Sequence, residues 1–133
     1  MTTISRFNHE GYYDPTPYQA LKGKYRPLVY IASPFSSEVG ENTQMARNYC
    51  RFAVDEGYIP LAPHLHYPQF LNDNDPKERE LGLHFALVLL GKCEELWVFD
   101  RVSVGMADEI AKAERRNMPI RYFNNSCKEV VSE

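Results

Sequence analysis

The sequence predicts an α/β fold, a Rossmann-like three-layer α/β/α sandwich around a mostly parallel sheet of four to five strands, on three observations. Apolar runs of strand length alternate with helix-length amphipathic segments along the chain. That alternation is what parallel strands joined by helical crossovers produce, with helices covering both faces of the sheet. The length, 133 residues with 44% hydrophobic and 25% charged content, suits one domain with a genuine core.

Each element has its own signal. Residues 1–26 form an N-terminal arm in which "GYYDPTPYQALKGKY" reads as a turn and a short helix, with Thr16 as N-cap and Pro17 at the first helical position. The α/β domain occupies residues 27–124. "PLVYIAS" is a continuous apolar run rich in β-formers and opens the sheet. From about Thr43 to Glu56, the apolar side chains Met45, Tyr49, Phe52 and Ala53 fall on one helical face, and Gly57 ends the helix. "YIPLAP" is a short second strand, followed by a long loop and a helix from Lys77 to Gly91. "LGLHFALVLLG" in that helix is apolar nearly all round, so it is either deeply covered or packed against another subunit. "ELWVFD" is the third strand, Gly105 to Asn117 the next helix, and "PIRYF" the last strand. Residues 125–133 are a polar tail, expected to fray.

Composition excludes several functions. A net charge of −3 argues against binding a nucleic-acid polymer. No apolar run approaches the ~18 residues of a membrane span, and the first residues are too polar for a secretory signal. Three widely spaced cysteines, Cys50, Cys93 and Cys127, suit reduced thiols in a cytoplasmic protein better than disulfides or zinc. His64 and His66 lack a third ligand at a characteristic spacing, so no metal is expected.

In a parallel α/β sheet, ligands bind beyond the carboxyl ends of the strands. The segments after Ser33, after Pro63 and from Asp100 to Glu109 therefore meet at one site. Asp108 and Glu109 are expected in the first turn of their helix. Counting about 100° per residue from Met106, Ile110 lies near +40°, Ala113 near −20°, Glu109 near −60° and Asp108 near 200°. Asp108 then points to water and is dispensable, while Glu109 borders the buried face beside the strand ends. Such a carboxylate is either a nucleophile or proton acceptor or a complement to the helix dipole.

Four motifs, "VYIASPF", "GYIPLAPHL", "CEELWVFD" and "SVGMADEIAKA", occur in an order and spacing that resembles the nucleoside 2-deoxyribosyltransferase superfamily. That superfamily includes nucleotide N-glycosidases, and the chain from Leu28 to Phe123 is most similar to its small DUF4406 group. The resemblance implies that Glu109 is the nucleophile on the anomeric carbon and that Tyr30 orients it. It places Ser103, six residues before Glu109, at the 5′ end of the sugar, where a serine accompanies a 5′-phosphate and an aspartate a free hydroxyl. It also implies a second acid for the leaving base. Asp100 is the first candidate, with a strand-end turn cap as its alternative role; Asp73 and Asp75 read better as turn residues. Ser33, Pro34, Phe35, His64, Gly105 and Met106 complete the substrate-binding set with Ser103, and no cofactor is required. Only Gly40 stands in the loop after the first strand, which is often richer in glycine in the glycosidases. The expected activity is cleavage of the N-glycosidic bond of a nucleotide or deoxynucleotide. Deoxyribosyl transfer between bases and non-catalytic nucleotide binding are the alternatives. The substrate partner is a nucleoside or its 5′-monophosphate, and a homo-oligomer is expected.

Overall fold

A computed structural model of the chain describes residues 25–34 and 39–131. Strands β1 (Leu28–Ala32), β2 (Ile59–Leu61), β3 (Glu95–Phe99), β4 (Ile120–Phe123) and β5 (Glu129–Val130) form one sheet in the order β2-β1-β3-β4-β5. The first four are parallel, and β5 runs antiparallel to β4. The helices are α1 (Val39–Asp55), α2 (Pro63–His66), α3 (Pro76–Leu90) and α4 (Val104–Arg115). This is the sandwich that the alternation of elements predicts. The expected short helix at Thr16 lies outside the described residues.

Period-two alternation divides the core between the two faces. Tyr30, Ala32, Leu96 and Val98 pack with Ala86 and Leu90 of α3 and with Met106 and Ala113 of α4. Val29, Ile31, Trp97, Phe99 and Phe123 pack on the other face with Tyr49 and Ala53 of α1. There Tyr49 stacks on Phe99, and Phe99 on Phe123. Pro60 removes a ladder donor from β2, which the fold accommodates by placing β2 at an edge. Gly57, at φ 88°, supplies the left-handed residue that turns the chain from α1 into β2.

Two elements differ from the sequence expectation. Tail residues Glu129 and Val130 pair with β4 instead of fraying. Asn124 organises the turn by accepting from Ser126 N and Lys128 N at 2.9 and 3.0 Å, and Arg121 grips Glu129 through two bonds of 3.0 and 2.8 Å. The Arg121 guanidinium also lies over the Trp97 ring, 4.9 Å from its centroid. The loop after β2 contains α2 and a 3-10 turn, Tyr67–Gln69, both with proline in the first turn.

Helix α3 is capped by Asp75, whose carboxylate accepts from Lys77 N at 2.9 Å. Its buried side chains are Ala86 and Leu90, whereas Leu81, Leu83 and Val88 remain exposed. The apolar girth of α3 is therefore only partly covered within one chain.

Chain order and strand order together locate the site. From β1 the chain crosses to β2 on one side, then passes back to β3 on the other side of β1. Crossovers diverge at the carboxyl ends of β1 and β3, and a crevice opens there.

Candidate active site

A cavity of about 520 Å³ opens at that crevice, within the size range of small-molecule sites. Ser33 reaches it from the end of β1, Pro63 and His64 from α2, and Ser103, Gly105, Met106 and Glu109 from the start of α4. The loop and helix that follow α2 add Tyr67, Pro68, Asp73, Arg79 and Leu83.

Glu109 is only 3% exposed, and it faces the sheet, whereas Asp108 is exposed at the cavity rim. That is the order the helical wheel gives. The turn number is different. Helix α4 begins at Val104 with Ser103 as its cap, so no acid occupies the first turn and Glu109 lies in the second. The free N–H groups of a helix start act mainly within the first turn, so they do little for this carboxylate.

What surrounds Glu109 is sparse. Both carboxylate oxygens and the Tyr30 hydroxyl are buried without a hydrogen bond among the described residues. His64 Nε2 stands 3.5 Å from Glu109 Oε1, at ion-pair distance. Burial, reinforced by the charge of Glu109, raises the Tyr30 pKa well above its ordinary value, so the phenol keeps its proton. For His64, burial disfavours the charged ring, but Glu109 outweighs it, with Asp73 adding and Arg79 opposing. The net effect raises the imidazole pKa. A buried carboxylate thus has a phenol nearby and an imidazole beside it that tends to hold a proton.

Ser103 Oγ accepts from Met106 N at 3.4 Å, while Met106 Sδ accepts from Ser103 N at 3.4 Å. The serine is both helix cap and cavity wall. Gly105 is exposed on the second helical residue, and a Cβ there would meet nothing within 4 Å. A side chain at 105 would consume cavity space and clash with no protein atom.

The structure brings together Tyr30, Ser33, His64, Ser103, Gly105, Met106 and Glu109. Pro34 is buried just after Ser33 but does not line the cavity, and Phe35 lies outside the described residues. Asp100 is not brought to the cavity either. Its backbone adopts φ 65°, and its charge, after burial, contributes to pushing Tyr49, on the α1 face, up to about 12. Asp73 is a cavity residue, and Asp75 is the cap of α3. His66 packs against Tyr67 and Phe70. Sequence reasoning missed Tyr67, Arg79 and Leu83, which no spacing singles out, because α2 and α3 fold back over the strand ends. Burial pushes the Cys50 and Cys93 thiols up to about 11 and about 12, so neither is a ready nucleophile. Among the described residues, no cluster of three His, Cys, Asp or Glu is placed to hold a metal, and no helix is long and apolar enough to cross a membrane.

A family model described as a domain of unknown function, DUF7768, matches residues 27–123. No curated protein matches the sequence. Among solved structures, the chain is similar to a 2-deoxyribosyltransferase from the psychrotolerant bacterium Bacillus psychrosaccharolyticus. The TM-score is 0.53 at 15% identity, covering 79% of this chain and 77% of that one. At that identity the likeness is one of fold, and it agrees with the α/β architecture expected from the motifs. Kinship with the DUF4406 group rests on the motifs alone.

Proposed function

The chain belongs to the DUF7768 family, and we propose that it is an N-glycosidase cleaving the base from a nucleotide or deoxynucleotide with Glu109 as nucleophile. One observation carries this reading: a carboxylate, 3% exposed and without a hydrogen bond, beside a cavity large enough for a nucleotide. A buried ion with so few partners costs the fold several kcal/mol, and such placements concentrate at functional sites.

Breaking the C1′–N bond sends its electron pair to the base and leaves positive charge on the sugar ring. Glu109 stabilises that charge and forms a bond to C1′, as in retaining glycosidases. Water then attacks C1′ and releases the carboxylate. The Tyr30 phenol, held protonated, keeps Glu109 oriented. His64 stands beside Glu109 with its protonated form favoured, so it can pass a proton to the departing base and recover one from the attacking water. This makes His64 a better second acid than Asp100, which lies away from the cavity. Backbone N–H groups at the start of α4, with Ser33 and Ser103, take the 5′-phosphate.

Deoxyribosyl transfer is the second reading, favoured by the fold shared with a 2-deoxyribosyltransferase. Release of free base from ribo- and deoxyribonucleoside monophosphates and their nucleosides, with and without a second base, separates the two. Hydrolysis of monophosphates without an acceptor supports the glycosidase. Turnover only with an acceptor base supports the transferase, and binding without release leaves a nucleotide-binding protein. The exposed Leu81, Leu83 and Val88 on α3 support a homo-oligomer; light scattering that finds a monomer at micromolar concentration refutes it.

A further inference from the structure

A second, smaller space opens off the main cavity between α3 and α4. Its volume is about 20 Å³, which holds one water-sized group. Ala86 and Leu87 line it from α3, His64 from α2, and Gly105, Asp108 and Glu109 from α4. Gly105 and Glu109 also line the main cavity, so a ligand lying over Glu109 can send a small substituent into this recess. A residue other than glycine at 105 would put its side chain into that opening, where no protein atom stands within 4 Å. The cleavage chemistry assigns the recess no role.

Its lining is apolar on one helix and acidic on the other. Ala86 is 3% exposed and belongs to the core, and Leu87 packs against that core. The Leu87 carbonyl already accepts from Gly91 N and from Lys112 Nζ. Both Glu109 oxygens, by contrast, are buried without a well-formed hydrogen bond among the described residues. A group that suits the recess is therefore about one heavy atom in size and donates a hydrogen bond. A hydroxyl meets both conditions. A methyl group has the size but leaves the carboxylate unpaired, and a phosphate is too large and carries the wrong charge.

Stereochemistry identifies the hydroxyl. In the cleavage reading, the base leaves one face of the sugar and Glu109 approaches C1′ from the opposite face. On a ribonucleotide the 2′-hydroxyl projects from that opposite face, on the carbon next to C1′. The 3′-hydroxyl shares the face but stands one carbon further away. We propose that the recess receives the 2′-hydroxyl, which donates to Glu109, and that the preferred substrate is a ribonucleotide and not a deoxyribonucleotide. A contact to this hydroxyl strengthens as charge develops on the ring. Deoxyribose leaves the recess unused, and arabinose turns its 2′-hydroxyl toward the base. The preference sets this chain apart from the 2-deoxyribosyltransferase whose fold it shares. The proposal rests on the base-cleaving reading of the site and specifies which sugar that site takes.

Equilibrium titration of the full chain tests it, in the Glu109→Gln background, where no bond is cleaved and the amide can still pair with a hydroxyl. Binding is read in place of rate because a 2′-hydroxyl by itself slows loss of the base from the sugar. The ligands are the 5′-monophosphates of adenosine, guanosine, cytidine and uridine and their 2′-deoxy counterparts. The arabino and 2′-O-methyl forms of the base bound best complete the series. A ribonucleotide should bind ~5-fold tighter than its deoxy counterpart, the worth of one net hydrogen bond. The arabino form should match the deoxy form, and the 2′-O-methyl form should bind more weakly than either, because its methyl has no room. Ala86→Val narrows the recess and should bring the ribonucleotide down to the deoxyribonucleotide. Circular dichroism reports whether that variant folds; if it does not, the arabino and 2′-O-methyl forms decide on the unaltered recess. Equal binding of the ribo and deoxy series, or an arabino form as tight as the ribo form, overturns this proposal and leaves the glycosidase reading standing. Failure of every nucleotide to bind overturns both.

Discussion

Replacing Glu109 by Gln should make the protein more stable while abolishing its chemistry. The side chain is 3% exposed, and neither oxygen has a hydrogen bond among the described residues. Desolvating an ion costs several kcal/mol after relaxation. The offsets are a contact to His64 at 3.5 Å and the protonated Tyr30 phenol nearby. An amide of the same shape removes the charge but keeps unpaired polar atoms, which cost ~1–3 kcal/mol. The difference leaves a net gain of ~1–2 kcal/mol for the variant. His64 is not stranded, because its side chain is 29% exposed and loses its proton when the carboxylate goes. For a domain of this size, that gain corresponds to a rise in Tm of ~3–8 °C. Thermal unfolding followed by circular dichroism at pH 7.5 measures it directly. A variant that melts several degrees below wild type would refute the reasoning, because it would mean that the carboxylate is held by favourable contacts and is not a strained functional group.

Three further outcomes follow from the same geometry. Tyr30→Phe removes a buried hydroxyl that lies beside the Glu109 carboxylate without a well-formed hydrogen bond to it, so its Tm should stay within a few degrees of wild type while base release slows by ~10²-fold, the lower range for a positioned group; equal losses in stability and activity would make Tyr30 purely structural. His64 has a raised pKa in the folded state, so its contribution to stability is complete below its unfolded value of ~6.5 and fades as pH rises through the folded value. Urea unfolding of wild type and His64→Gln should therefore diverge most in acid and converge in alkali, and a gap that widens with pH would contradict this. Gly105→Ala adds a methyl that meets no protein atom within 4 Å; its Tm should hold or rise slightly through helix propensity, while KM for the nucleotide rises, and an unchanged KM would remove the sugar from that wall.

Much of this was legible in the residues, for identifiable reasons. Strands buried on both faces read as unbroken apolar runs, and β1 and β3 are such strands. Glu109 was legible through helical periodicity, because Met106 and Ala113 fix the buried face of α4. Its turn was misjudged because the helix starts at Val104, directly behind the Ser103 cap, which puts five helical residues before Glu109. Asp100 has the sequence position of a site residue, but its left-handed backbone is a tertiary feature that no pattern announces. β5 was hidden because two exposed residues carry no apolar alternation; its pairing rests on Arg121–Glu129 and the Asn124 turn. Asp73 and Arg79 were ordinary exposed charges until the fold of α2 and α3 set them around one cavity.

The most direct test of the central claim is to find where the sugar goes. The enzyme would be mixed with a nucleoside monophosphate that it cleaves, quenched within a turnover, digested and examined by mass spectrometry. The expected result is a glycosyl ester on the peptide containing Glu109, located to that side chain by fragmentation and missing from Glu109→Gln, together with loss of base release in the variant. A sugar adduct on Asp108 or any other residue, or base release that continues undiminished in Glu109→Gln, would contradict the account.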